Sequence, residues 1–220
     1  MREAMKVFHR SLFDSYHHLG FLVWTTICWW MCLLPIITAG PATAAMFTVF
    51  KQKRENKMVR PADFWQAFKD NWRTGIKLQL VYILITFPGV IYSITLIRSE
   101  LFLPMLAGMV LIYLLFMWHL IYLYAFPVYI EQGQSSLKIV LLRSFKLVSE
   151  NFGFTINMSL YIVAVTLVCS LFTIALTIWA GILTVMIQNS VLHLLHQYEP
   201  EKYSFSSEVS WSGTLRPWKT

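Results

Sequence analysis

Charge is what this chain has least of. Only 13% of its 220 residues are Asp, Glu, Lys or Arg, where soluble domains carry about 25%. With 57% hydrophobic residues, that deficit excludes an ordinary soluble domain and points to an all-α integral membrane protein, a polytopic helical bundle. Carboxylates are scarcer still, 11 against 18 Lys and Arg. The spans therefore offer no paired acids for proton chemistry and almost no charge to couple a substrate to an ion gradient. The phosphate cradle GxxxxGK(S/T) is missing, as are HExxH and GxSxG. These absences exclude a P-loop ATPase and argue against an enzyme, and they leave a substrate facilitator open. Cysteine is limited to three residues. Cys28, Cys32 and Cys169 all lie in apolar runs, where a thiol serves as a small buried hydrophobe. Cys28 and Cys32 share a helix face but have no further ligands nearby for a metal. No cofactor is expected. Residues 1–19 lack a continuous apolar core, so no cleavable signal peptide is expected either.

Helix breakers are also few, and two prolines and a glycine meet in one stretch: Leu34-Pro35-Ile36-Ile37-Thr38-Ala39-Gly40-Pro41-Ala42-Thr43-Ala44-Ala45. Pro35 lacks an N–H and clashes with the carbonyl four residues back. Gly40 permits backbone angles that other residues avoid, and Pro41 before small residues suits the first turn of a new helix. The pattern predicts a membrane helix, a bend and a second helix. Pro35, Thr38, Gly40, Pro41 and Ala42 form a structural signature that shapes a tight turn and close packing.

A single membrane domain over residues 1–195 is expected. Residues 1–19 form an amphipathic helix with Met1, Met5, Phe8, Leu12, Tyr16 and Leu19 on its apolar face; it lies in the interface or packs on the bundle. About five membrane helices follow, over residues 20–37, 78–97, 101–130, 154–172 and 174–195. The first is barely long enough and is rich in Trp. Pro88 predicts a kink in the second. His119 lies inside the third and reads as a neutral, hydrogen-bonded histidine. No Pro or Gly marks the turn between the last two, which falls near residues 170–177. Residues 41–73 and 131–152 form cytoplasmic connections, and residues 196–220 a polar, loosely held tail with His193 and His196 at the interface.

The basic residues cluster in the connections. Lys51, Lys53, Arg54, Lys57, Arg60, Lys69 and Arg73 mark the first as cytoplasmic, and Lys138, Arg143 and Lys146 the second. The net charge of +7 is thus an orientation signal on an anionic membrane face; no nucleic-acid partner is expected. Within the first connection Phe64, Trp65, Phe68 and Trp72 line one face of an amphipathic helix, which lies flat at the headgroups or docks a partner. In the second, Ser136 suits a helix cap. The two connections echo each other. Asp70-Asn71-Trp72 precedes Gly75, and Glu150-Asn151-Phe152 precedes Gly153, each ahead of a hydrophobic hairpin. The first element is in conflict: a full span puts the N-terminus outside, while Arg2, Lys6 and Arg10 argue for inside. A re-entrant bend over residues 35–41 reconciles them.

The residue 34–45 run, with Trp30 before it and Asp63-Phe64-Trp65-Gln66-Ala67-Phe68-Lys69-Asp70-Asn71-Trp72 after it, resembles the YesL family of small bacterial membrane proteins. The resemblance extends over residues 8–195, with its specific signal in residues 30–75. Gly20 departs from the Asn expected before the first helix. The resemblance implies a multi-pass protein of the bacterial cytoplasmic membrane, accessory to carbohydrate import because such proteins accompany sugar ABC importers. Sugar permease subunits are then the implied partners, beside the lipid bilayer. It supplies no catalytic residue.

Overall fold

The computed structural model describes residues 2–35, 37–55, 57–133 and 136–206. The described residues form nine α-helices and no strand: α1 (Arg2–His17), α2 (Leu19–Leu33), α3 (Ala39–Arg54), α4 (Pro61–Asp70), α5 (Trp72–Ile97), α6 (Phe102–Gln132), α7 (Leu137–Glu150), α8 (Phe152–Leu171) and α9 (Leu176–Tyr198). Local chemistry sets several ends. The Arg60 N–H donates to the Asp63 carboxylate at 2.7 Å, with Pro61 in the first turn of α4. Ser136 caps α7, as its sequence position suggests, by accepting from the Ile139 N–H. Gly133 takes φ 67° just past α6, a left-handed angle that favours glycine. The turn between α8 and α9 is made without Pro or Gly, by extended Phe172 and a 3-10 turn, Thr173–Ala175.

Four helical segments are long and apolar enough to cross a membrane: α5, α6, α8 and Thr173–Tyr198. This is a multi-pass, all-α membrane bundle. The remaining apolar helix, α2, has 15 residues. At 1.5 Å per residue it is about 22 Å long, short of the ~30 Å hydrocarbon core.

Three antiparallel hairpins share one open face. In the first, Phe21 at the start of α2 packs on Phe50 near the end of α3, with ring centroids 4.9 Å apart. Further along, the Trp29 indole donates to Thr43 at 3.1 Å. The bend at residues 34–38 is therefore a hairpin tip, and both ends of the pair lie at the same face, the geometry of a re-entrant element. The tip is apolar yet exposed, with Leu34 at 84% and Ile37 at 64%. In the second hairpin Tyr129 of α6 reaches Asn71 at the start of α5. In the third Asn151 at the start of α8 reaches Tyr198 at the end of α9.

α3, which opens the stretch expected to form a cytoplasmic connection, is packed inside the bundle over most of its length. Ala42, Ala44, Ala45, Met46 and Val49 are all at 0–1% exposure. Its small residues explain this. Gly40 and Pro41 lie against the α5 backbone so closely that a Cβ on Gly75 would sit 2.6 Å from the Pro41 nitrogen. α1 packs on α8 and α9, and its buried stripe is Ala4, Val7, Ser11 and Ser15. Of the larger residues on its apolar face, Met5 and Tyr16 are turned outward, at 49% and 59% exposure. Ser11 and Ser15 return their hydroxyls to the Val7 and Ser11 carbonyls at 2.8 and 2.7 Å. Their polarity is thereby satisfied within the helix, and small size permits close helix approach.

Candidate functional site

Polar side chains converge at the shared open face. At their centre is Glu131, in the last turn of α6, with only 2% of its side chain exposed. Arg54 of α3 donates to it at 2.9 Å and Gln188 of α9 at 2.7 Å. The Lys51 ammonium caps the end of α6, donating to the Ile130 and Glu131 carbonyls at 2.9 and 3.3 Å. Cations suit that position because the last carbonyls of a helix carry partial negative charge. One carboxylate thus ties three helices together. Next to it, Asn189 donates to Ser11 at 3.2 Å and Asp14 at 3.0 Å, and Asp14 pairs with Arg10 at 3.0 Å. Those contacts fasten α1 to α9.

Between these groups opens a cavity of about 430 Å³. Arg10, Lys53, Arg54 and Lys57 line it, against one carboxylate, Asp14, with His18 at its edge. Burial, followed by the charge of Lys53, holds the His18 imidazole below its ordinary value of 6.5.

Glu131 and this cavity escape a reading of sequence alone. Glu131 closes a long uncharged run and reads as the first residue of a polar loop. The available signal is one acid at the end of a span facing a helix that ends Lys51, Lys53, Arg54.

The sequence signature is brought together only in part. Gly40, Pro41 and Ala42 are buried, the first two in the α3–α5 contact and Ala42 in the core between α2, α3, α4 and α9. Thr38 donates to the Cys32 carbonyl and closes the hairpin tip, and Pro35 is exposed in that tip. In the aromatic face of α4, Phe64 is at 0% exposure and packs on Trp24. It is a core residue, unavailable to a partner, because the bend after α4 folds the helix onto α2 and α3. Trp65 and Trp72 remain exposed, at 42% and 40%, with Phe68 between them. His119 is hydrogen-bonded as expected, its Nδ1 3.0 Å from the Tyr82 hydroxyl. The tail is better held than expected as far as residue 206. His193 stacks on Phe154 and makes a T-shaped contact with Phe205, and Tyr203 is buried. Residues 207–220 lie outside the described residues.

A family model described as "Protein of unknown function, DUF624" matches residues 22–92. That segment runs from α2 through the hairpin tip, α3 and α4 into α5, and includes the whole signature stretch. No curated protein and no solved structure matches the chain.

Proposed function

We propose that the protein is a membrane-embedded accessory subunit, with no catalytic activity of its own, that holds a permease through the α5–α6 hairpin. One observation carries this reading: the hairpin leaves the bundle. Gln79 packs at the α3 tip, where a Cβ on Gly40 would lie 2.8 Å from its Cβ. Beyond it the contacts that hold α5 are with α6, Tyr82 on His119 and Tyr122, and Gly89 on Leu115. From Gln79 to Ile97 is about 27 Å of helix at 1.5 Å per residue, close to the hydrocarbon thickness. Only 6% of the most apolar window of α5 and 11% of that of α6 is buried within the chain, against 56% for the last span. Two lipid-depth helix faces are therefore open to another membrane protein. The YesL resemblance supports a sugar ABC importer as the assembly and the bacterial cytoplasmic membrane as its site, with the basic face in the cytoplasm.

Photo-crosslinkers at Leu84 and Leu103, 75% and 76% exposed, test it in native membranes. Adducts with a sugar permease subunit are expected, together with co-purification of that subunit. Lipid adducts alone, with unchanged growth on complex glycans after deletion, overturn it. Sugar uptake by vesicles holding this chain alone replaces it with an autonomous facilitator.

A further inference from the structure

We propose that the cavity at the open face is a binding site for a phosphate-bearing anion, with Lys53 as its principal cation. Three of the four cations around the cavity already hold a carboxylate. Arg10 pairs with Asp14 at 3.0 Å, Arg54 with Glu131 at 2.9 Å and Lys57 with Glu55 at 2.7 Å. Lys53 has no hydrogen-bond or ion-pair partner among the described residues, and it is half-buried in the wall. A half-buried ammonium without a counter-charge loses hydration and gains nothing in return, which a bound anion reverses.

The surroundings fit such an anion. The Asp14 carboxylate is engaged by Arg10 and Asn189, so it faces the cavity already neutralised. His18 lies on the same wall; burial first and the charge of Lys53 second lower its proton affinity, so the imidazole adds no counter-charge to Lys53. The volume of about 430 Å³ lies within the ~300–1,000 Å³ of small-molecule sites. That is room for a phosphate and several attached carbons, more than a bare ion needs. The cavity opens at the face where the hairpins end, so two sources of the same chemistry reach it: the headgroup of an anionic phospholipid and a soluble phosphomonoester. This site is independent of the accessory-subunit reading.

The experiment uses the full chain in detergent and in nanodiscs. Inorganic phosphate and glycerol 3-phosphate are titrated against chloride at matched ionic strength, with thermal unfolding as readout. Nanodiscs of phosphatidylcholine, with and without phosphatidylglycerol, are compared by native mass spectrometry of retained lipid. Lys53→Glu reverses the proposed cation, and Lys69→Glu, on the exposed face of α4, is the control for net charge. A soluble source is supported by stabilisation with glycerol 3-phosphate that weakens at least tenfold in Lys53→Glu and not in Lys69→Glu. A lipid source is supported by phosphatidylglycerol retention with the same dependence. Lys53→Gln checks folding: it removes the charge while keeping a polar, unbranched side chain, and should unfold at the wild-type temperature without ligand while binding more weakly. Equal responses to chloride and phosphate, or equal losses in Lys53→Glu and Lys69→Glu, overturn the site.

Discussion

The Tyr129 hydroxyl donates to the Asn71 side-chain oxygen at 2.9 Å, and this closes the base of the α5–α6 hairpin. The same device recurs at the base of α8–α9, where Asn151 donates to the Tyr198 hydroxyl at 2.9 Å. Each Asn also turns its amide back to the carbonyl four residues earlier, Ala67 in one case and Leu147 in the other. Helices α4–α5–α6 and α7–α8–α9 are thus two copies of one plan: an amphipathic helix, an Asn joint, a span and a returning span tied by tyrosine.

The two joints differ in burial, and that predicts unequal costs. Asn71 is 8% exposed and also reaches Thr48 at 3.2 Å, whereas Asn151 is half-buried. Asn71→Ala strands the Tyr129 hydroxyl and is expected to cost about 2–3 kcal/mol, with Asn151→Ala nearer 1 kcal/mol. Denaturant unfolding in detergent checks the order; equal losses contradict the role assigned to burial.

Glycines divide in the same manner. A Cβ at Gly75 meets the Pro41 backbone at 2.6 Å, while at Gly153 it meets nothing within 4 Å. Gly75→Ala must push α3 from α5 and should cost roughly 3 kcal/mol or more, at the upper end for overpacking. Gly153→Ala relieves glycine's entropy and should gain up to about 1 kcal/mol. The midpoints of thermal unfolding for the two variants should therefore move in opposite directions.

These positions show what the sequence made legible. The echo of Asn71 and Asn151 is visible because Asn joints recur before apolar runs, and the bend at Pro35 and Pro41 because proline removes a donor wherever it stands. The burial of α3 is less visible: Ala42, Ala44 and Ala45 have too little side chain to give a periodic hydrophobic signal. α1 hides its contact face for a related reason. Its large apolar residues define one stripe, but tight helix contact selects the small one, Ala4, Val7, Ser11 and Ser15. Glu131 is hidden because its partners Arg54 and Gln188 are far away in sequence, and only the fold brings them together.

Glu131→Gln removes the charge that three helices share. Arg54 and Lys51 are left facing a neutral group, but both are partly exposed, at 37% and 28% of their side chains. The cost should therefore be about 2 kcal/mol, below the 3–5 of a fully buried pair. In a double-mutant cycle with Arg54→Met the combined loss should fall short of the sum by about 1 kcal/mol or more. Additive losses would show that the pair contributes nothing specific.

Acid should weaken the fold through His18. Its folded value lies below 6.5 because of burial first and Lys53 second, while Asp14 pulls the other way and His17 adds to the lowering. Arg10, Arg54 and Lys57 add positive charge around the same cavity. With a depressed value, the unfolded chain binds the proton first as pH falls. The His18 contribution is complete above about pH 6.5, declines as pH falls through the lowered folded value, and is constant below it. Thermal midpoints of wild type and His18→Gln between pH 8 and 5 should diverge on the acid side, with wild type losing more. Parallel curves would remove His18 from the pH response.

The hairpin formed by α2 and α3 makes a prediction about sidedness that a simple five-span arrangement does not. Its two ends meet at Phe21 and Phe50, and Lys51 and Arg54 at the end of α3 bind the end of α6. α1, the α3–α4 connection and the chain after α9 must then share one side. In a background with Cys28, Cys32 and Cys169 replaced by alanine, single cysteines at Arg2, Lys57 and Glu201 should react with an impermeant maleimide from the same side. A cysteine at Ser99, in the charged turn between α5 and α6, should react only from the other. A re-entrant tip adds a further mark. Cysteine at Ile37, exposed on the protein beside exposed Leu34 and held in lipid if the tip is re-entrant, should stay unlabelled from both sides until detergent is added. Labelling of Arg2 and Lys57 from opposite sides would show instead that α2 crosses the membrane, and the shared open face of the three hairpins would have to be abandoned.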